Sequence, residues 1–391
     1  MVVYVLGQGH KGPKLRVNAR KLLGDGVGSH HAECRMTTQV LENPWQKGKT
    51  RDQADAQGRG VRKAISPERA TRRWGVILAG GDGVRLRGLT RLICGDDRPK
   101  QFCPILGKRT LLQEARQRAE RSICHDQILY SLTQVHQNHY LSDLGDRPSQ
   151  RIVQPSNKGT APAILYALLH ISQLEPDAIV AVLPCDHYYS RENVFTAALE
   201  SAFAIAETQH ESIVLLGARP KAPEVEYGWI ELGEKVAGPY PGVFQVKGFQ
   251  EKPALPVAQH LLRSGSLWNT FVMVGRVQAF LDLASASVPG LLRVLRSGFV
   301  FAAPDSETRV AEWLYDQIEP ADFSRQVLSP GTGRLVTLSL GDIEWNDLGD
   351  PHRVVSTLIE RGWDLPRWAK RWRAEPEPKR SSTERVSVAV A

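Results

Sequence analysis

Between Leu78 and Lys100 the chain sets three glycines and two cations close together. The order is Leu78-Ala79-Gly80-Gly81-Asp82-Gly83-Val84-Arg85-Leu86, followed by Arg98-Pro99-Lys100-Gln101-Phe102. Glycine carries no Cβ, so such a loop can bring backbone N–H groups against the oxygens of a triphosphate. Arg85 offers a forked cation and Lys100 a compact one, two complementary ways to hold phosphate. No Gly-Lys-Ser/Thr follows, which excludes a Walker loop. The glycine spacing also excludes the GxGxxG dinucleotide fingerprint. The glycines alone would fit an ordinary surface turn equally well.

Four further patches carry groups suited to chemistry. Gln154-Pro155-Ser156-Asn157-Lys158-Gly159-Thr160-Ala161-Pro162 is a polar turn opening a helix, with Thr160 as its expected N-cap and Pro162 in its first turn. Asp186, in Leu183-Pro184-Cys185-Asp186-His187, ends an apolar run. An acid there can bind Mg²⁺ beside phosphates, or simply cap a turn. Glu251-Lys252-Pro253 and Trp268-Asn269-Thr270 hold an acid and an amide for sugar hydroxyls and a lysine for a sugar phosphate. Without context the first of these reads as a surface turn. Ile343-Glu344-Trp345-Asn346-Asp347-Leu348-Gly349-Asp350 supplies two more acids, one of which can serve as a helix cap.

The elements that must position these groups are legible from periodicity. Gly75–Ala79, Ala178–Leu183 and Ser212–Ala218 are short apolar runs, expected as buried parallel strands. Thr110–Ser122, Thr160–Leu174 and Val194–Thr208 have helical spacing. Alternation of this kind predicts an α/β domain with a largely parallel sheet, whose ligands bind at the carboxyl ends of the strands. Gly80 and Asp186 both stand at such ends. From Tyr227 to about Val274 the pattern turns to short antiparallel strands, with a helix at Pro256–Ser264. Ile343–Arg361 reads as a strand, a turn and a final helix.

Residues 1–72 show little periodicity and are expected as a disordered basic extension. Residues 73–364 form the expected catalytic domain, and 365–391 a flexible basic tail. The net charge of +8 lies at these two ends, while the stretch between is net acidic. That distribution argues against a nucleic-acid partner. The five cysteines include no CxxC pair, against a disulfide framework or a structural zinc. No apolar run reaches the ~18–20 residues a membrane helix needs, and no signal peptide is evident, so a cytoplasmic protein is expected. Self-association is compatible with the sequence.

The loop resembles the signature of the sugar-1-phosphate nucleotidyltransferases, Gly-Gly-x-Gly-x-Arg-Leu followed by Pro-Lys. Its Pro-Lys-Gln-Phe form is similar to the mannose-1-phosphate guanylyltransferase branch. Val84 and Gly88 depart from the family's usual Thr or Ser and Pro. Gly-Thr-Ala-Pro-Ala-Ile at 159–164 is similar to the guanylyltransferase version. The resemblance covers about residues 74–360. It implies a Rossmann-like nucleotide-diphospho-sugar transferase fold: a mixed, mostly parallel sheet flanked by helices, with a small antiparallel sugar-binding subregion. It further implies a nucleotide site of Leu78, Ala79, Gly80, Gly81, Gly83, Arg85, Lys100, Gln154, Asn157, Gly159 and Thr160. In that site Gln154 and Gly159 would read the purine edge. Gly228, Glu251, Lys252 and Asn269 would take the sugar phosphate, and Asp186 and Asp347 would hold Mg²⁺. Arg85, Lys100 and Lys252 would be catalytic. The implied reaction joins GTP and mannose-1-phosphate to give GDP-mannose and pyrophosphate. Another nucleotide and hexose-phosphate pair, or a silent nucleotide-sugar-binding subunit, would use the same scaffold. No Asp-x-Asp motif of a glycosyltransferase is found in the body, and the chain stops too soon after Gly362 for the isomerase domain of bifunctional relatives.

Overall fold

The computed structural model describes residues 72–145, 148–301, 307–362, 365–366 and 368–370. The expectation for the N-terminal extension therefore lies outside the described residues, apart from Arg72, whose carbonyl accepts from Ile179 N at 2.8 Å.

Four parallel strands form one half of the sheet: β1 (Arg73–Leu78), β2 (Ile128–Thr133), β3 (Arg151–Gln154) and β4 (Ile179–Pro184), in the order β3-β2-β1-β4. Their apolar runs are continuous because both faces are covered. Alternate residues show this directly. Ile77 and Leu183 join the core on one face, while Val76 and Val182 join the core on the other. Helices α2 (Leu111–Ala119) and α5 (Glu192–Thr208) lie on the first face, and α4 (Thr160–Leu174) on the second. Two shorter helices, α1 (Arg87–Cys94) and α3 (Gln137–Leu144), complete this half. Thr110 caps α2 through a capping box with Gln113.

The other half holds the expected antiparallel strands. The antiparallel strands belong to the same sheet, which has nine strands among the described residues. β9 (Leu267–Arg276) runs antiparallel between β4 and β6 (Ile213–Ala218). β10 (Leu335–Ser339) is parallel to β6 and carries the edge pair β8 (Val243–Glu251) and β7 (Gly228–Lys235). β7 also touches β9 directly, Trp229 opposite Trp268. α6 (Leu255–Arg263) follows β8. Helices α7 (Val277–Ser287), α8 (Pro289–Phe301) and α9 (Glu307–Asp316) then cover the second face.

A two-stranded clip stands apart from this sheet. β5 (Tyr188–Tyr189) pairs antiparallel with β11 (Trp345–Asn346), and α10 (Pro351–Glu360) follows. The expected tail begins too early. Leu365 and Trp368 pack against the cluster of Leu86, Leu348 and Leu358, and Ala369 is fully buried there. Apolar side chains after the last expected helix had a surface to cover, so the ordered body reaches at least Lys370.

Candidate functional site

The register of β1 and β4 builds the floor of the site. Leu78 lies opposite Pro184, so Ala79–Gly81 and Cys185–Asp186 leave the sheet side by side. Cys185 N donates to Leu78 O at 3.3 Å. The clip then brings in the second acid. Asn346 pairs with Tyr188, which carries Asp347 back toward the His187–Asp186 end of the facing strand.

Lys100 sits between the two acids. Its Nζ lies 3.0 Å from Asp186 Oδ2 and donates to the carbonyls of Asp347 (2.8 Å) and Leu348 (3.1 Å). Its side chain is only 12% exposed. Burial opposes ionisation of Asp186, but Lys100 and His187 outweigh it and hold the carboxyl below its usual range. Burial likewise opposes ionisation of Asp347, and Arg353, Lys100 and His187 reverse it. Both acids are therefore carboxylates at neutral pH. His187 is pushed the other way: burial lowers it below the ordinary histidine value. Its Nδ1 accepts from Trp345 Nε1 at 3.2 Å, so the neutral ring carries its proton on Nε2.

Asp347 is anchored through one oxygen. Oδ1 accepts from Gly349 N (2.8 Å), Arg353 Nη1 (3.0 Å) and Tyr227 OH (3.2 Å). Arg353 also pairs with Glu224 (2.8 Å) and Asp350 (3.3 Å) and lies over the Tyr227 ring. Asp350 accepts from Arg353 N and caps α10. Two carboxylates fit Mg²⁺, a hard cation that keeps water and phosphate oxygens for its remaining ligands. Among the described residues, no cluster of three or more His, Cys, Asp or Glu is placed to hold a metal ion.

The glycine loop has one support that sequence reasoning missed. Gly83 has φ 58°, and a Cβ there would lie 3.0 Å from Lys100 N and 3.1 Å from Pro99 Cα. The loop thus rests against the Pro99-Lys100 segment. The buried Gln101 donates from Nε2 to Ala79 O (3.0 Å) and Gly81 O (2.6 Å). These bonds tie the Ala79 and Gly81 carbonyls inward, and Ala79 N donates to Ser131 O at 2.9 Å. Gln101→Leu is expected to lower nucleotide affinity about tenfold or more, since it removes two buried hydrogen bonds; calorimetric titration would measure it. Gln101 lay inside the quoted Pro-Lys-Gln-Phe run, but nothing in its type marked it as a clamp. Val84 and Gly88, off the family pattern, cost nothing sterically: Val84 is exposed, and a Cβ on Gly88 would meet nothing within 4 Å. Arg85 is 62% exposed on the turn Val84–Leu86, 3.7 Å from Glu226 across the cleft.

The base loop needs correcting at two residues. Gln154 is 2% exposed. Its Nε2 donates to Ser131 Oγ and Leu132 O, and its Oε1 accepts from Tyr315 OH. Both ends are consumed inside the fold, so the side chain has no free edge for a purine. It supports Gly80, whose Cβ position lies 3.2 Å from Gln154 Nε2. Thr160 is not the cap of α4; Gly159 is, at φ 90° and ψ −177°. Thr160 Oγ1 instead accepts from Phe323 N at 2.8 Å. Asn157 spans the mouth, donating to Asp82 Oδ2 (2.9 Å) and accepting from Gly159 N (3.0 Å).

On the far side, Gly228, Glu251 and Asn269 converge. A Cβ on Gly228 would lie 2.7 Å from Glu251 Oε2 and 3.3 Å from Asn269 Cβ. Lys252, at φ 50°, is exposed beside them, and its N donates to Tyr227 O at 3.1 Å. Burial and the nearby Asp322 raise Glu251 above the usual carboxylate range. Asp322 belongs to a segment that drew no assignment from the sequence. Ala321 bonds Lys158 and Ala161, and a π-turn at Ser324–Leu328 follows. The segment therefore joins the base loop to the Glu251 region, a link that its irregular sequence pattern does not advertise.

Among the described residues, no helix is long and apolar enough to cross a membrane. Comparison with known proteins agrees with the geometry. Xanthan biosynthesis protein XanB of Xanthomonas campestris is 32% identical over 279 residues, 70% of this chain and 57% of that protein. A mannose-1-phosphate guanylyltransferase of Escherichia coli K12 is 31% identical over 288 residues, 70% and 57% of the two chains. The chain thus spans little more than half the length of these relatives. A Thermus thermophilus structure titled mannose-1-phosphate geranyltransferase superposes with a TM-score of 0.64 at 25% identity, covering 75% of this chain and 80% of its own. The family profile described as nucleotidyl transferase matches residues 74–356, from the first strand through α10's middle, and the chain belongs to that family.

Proposed function

We propose that this protein transfers a nucleotidyl group, guanylyl in first place, from a nucleoside triphosphate to mannose-1-phosphate or a close hexose-1-phosphate. The product would be GDP-mannose or its analogue, with release of pyrophosphate, in the cytoplasm. One observation carries the reading: Lys100, Asp186 and Asp347 meet at the carboxyl edge of the sheet, directly beside a glycine loop whose carbonyls are tied inward. The guanylyltransferase named among the relatives supports the choice of base and sugar.

A phosphate oxygen of the sugar phosphate attacks the α-phosphorus of the nucleotide. A new P–O bond forms as the bond to the β-phosphate oxygen breaks. The attacking phosphate is already ionised at neutral pH, so no general base is required. Both reactants are anionic, and the protein's task is alignment and charge neutralisation. The Gly80, Gly81 and Gly83 backbone holds the triphosphate, with Arg85 on the leaving pyrophosphate. Lys100 stands within reach of both reactants' phosphates. Lys252 holds the sugar phosphate, and Gly228, Glu251 and Asn269 its hydroxyls. Asp186 and Asp347 would hold Mg²⁺, which when bound supplies positive charge to the phosphates. Base contacts fall to the backbone around Asn157, Gly159 and Thr160, since the Gln154 side chain is engaged elsewhere.

The test is a matrix of nucleoside triphosphates against sugar-1-phosphates with Mg²⁺, read by pyrophosphate release. GTP with mannose-1-phosphate should give the highest kcat/KM. Absence of release with every pair would refute the enzymatic reading.

A further inference from the structure

Cys94 closes α1 and Cys103 follows the turn Lys100–Phe102. Both are free thiols, and their sulfurs stand 3.1 Å apart, at thiol hydrogen-bond distance. The segment between them is held from several sides. Gly95 takes φ 85° to end the helix, Arg91 pairs with Asp97, and Arg98 binds Asp96 in a two-pronged contact of 2.7 Å on each arm. Arg98 also donates to Phe102 O at 3.4 Å.

We propose that Cys94 and Cys103 form a reversible oxidation site, closing an intramolecular disulfide at the base of the glycine loop when a hydroperoxide is present. Nothing in the nucleotidyl-transfer reading uses either thiol. The two sulfurs have unequal access, which sets the order of events. Cys94 is half-buried, whereas Cys103 is 0% exposed and burial pushes its thiol well up. Cys94 thiolate attacks the peroxide O–O bond, giving a sulfenic acid and releasing the alkoxide or hydroxide, which takes a proton. The Cys103 sulfur then attacks the Cys94 sulfur, and the sulfenic oxygen leaves as water. In sum, two thiols are oxidised and one hydroperoxide is reduced to an alcohol (or water) and water. Thiol–disulfide exchange reverses the bond. The ring so closed contains Lys100 and Gln101, so the bridge fixes the backbone that carries the site's central cation and the loop clamp.

The experiment uses the full chain treated with hydrogen peroxide, then digested with trypsin without reduction. The Arg98–Pro99 bond resists trypsin, so the expected product is peptide 92–100 joined to peptide 101–108, two hydrogens lighter than the sum of the parts. Dithiothreitol should separate them. Cys103→Ser should leave Cys94 as a sulfenic acid trapped by dimedone, and Cys94→Ser should leave Cys103 unmodified. Unreacted thiols, linkage of Cys94 to any other cysteine, or overoxidation of Cys94 without a link would each overturn the proposal. These readouts are masses and need no substrate, so they stand independently of the proposed reaction.

Discussion

Lys100→Ala is expected to slow pyrophosphate release by about 100-fold or more, the loss of several kcal/mol of transition-state stabilisation. The reason is position. Lys100 Nζ touches Asp186 and the carbonyls of Asp347 and Leu348, at the one point where the glycine loop, β4 and the clip converge. Removing it takes positive charge from where, as proposed, two phosphates meet, and it leaves the half-buried Asp186 carboxylate facing fewer cations. A second readout follows from the same contact. Lys100 is the first of the groups that hold Asp186 below its usual range against burial. A depressed carboxyl contributes while ionised and loses that contribution as pH falls through its folded-state value. In the variant the Asp186 carboxyl should rise, so the acid limb of activity should move to higher pH. Steady-state rates across pH, with a urea midpoint to verify folding, would check both. Near-normal turnover would remove Lys100 from the site.

Gly159→Ala should destabilise the fold by about 3 kcal/mol or more. At φ 90° and ψ −177° the backbone lies in a region open essentially to glycine alone. A Cβ there would also collide with the Ala321 carbonyl, with Ala321 C and N only 3.1 and 3.3 Å away. That carbonyl accepts from Ala161 N, so relief of the clash would break the bond tying the π-turn segment to the base loop. Gly81→Ala is the natural control. Its Cβ would meet nothing within 4 Å, and stability should stay within about 0.5 kcal/mol. If phosphates approach the loop as proposed, that same open space is where they lie, and Gly81→Ala should weaken nucleotide binding. Urea titrations and binding isotherms of the two variants should therefore separate: one loses stability, the other affinity.

The parallel half of the fold was legible because its signals are local. β1 and β4 are unbroken apolar runs ending in glycine or an acid, and α4 begins at Thr160 and ends at Leu174, as its periodicity indicates. The position of β9 was not legible. Its residues read as antiparallel, but nothing local says that Leu267–Arg276 inserts between β4 and β6. Likewise the expected boundary at 365 failed because Trp368 and Ala369 follow a proline-containing turn with no periodicity to reveal their burial. The site divides the same way. Charged or flexible residues in motifs were visible as types: Arg85, Lys100, Asp186, Lys252, Asp347. Their supports were not. Gln101, Tyr227 and Arg353 act through hydrogen bonds to groups remote in sequence, and Gln154 was given to the ligand although the fold had already used it.

The β5–β11 clip bears on how the protein is made. Lys100 reaches Asp347 across 247 positions of chain, and Asp186 meets it only once β11 has emerged and paired. During synthesis the glycine loop and the first four strands can assemble well before that. Closing so distant a contact is slow relative to local folding. Under the proposed function, the Lys100–Asp347 contact that completes the site thus waits until residue 347 has emerged.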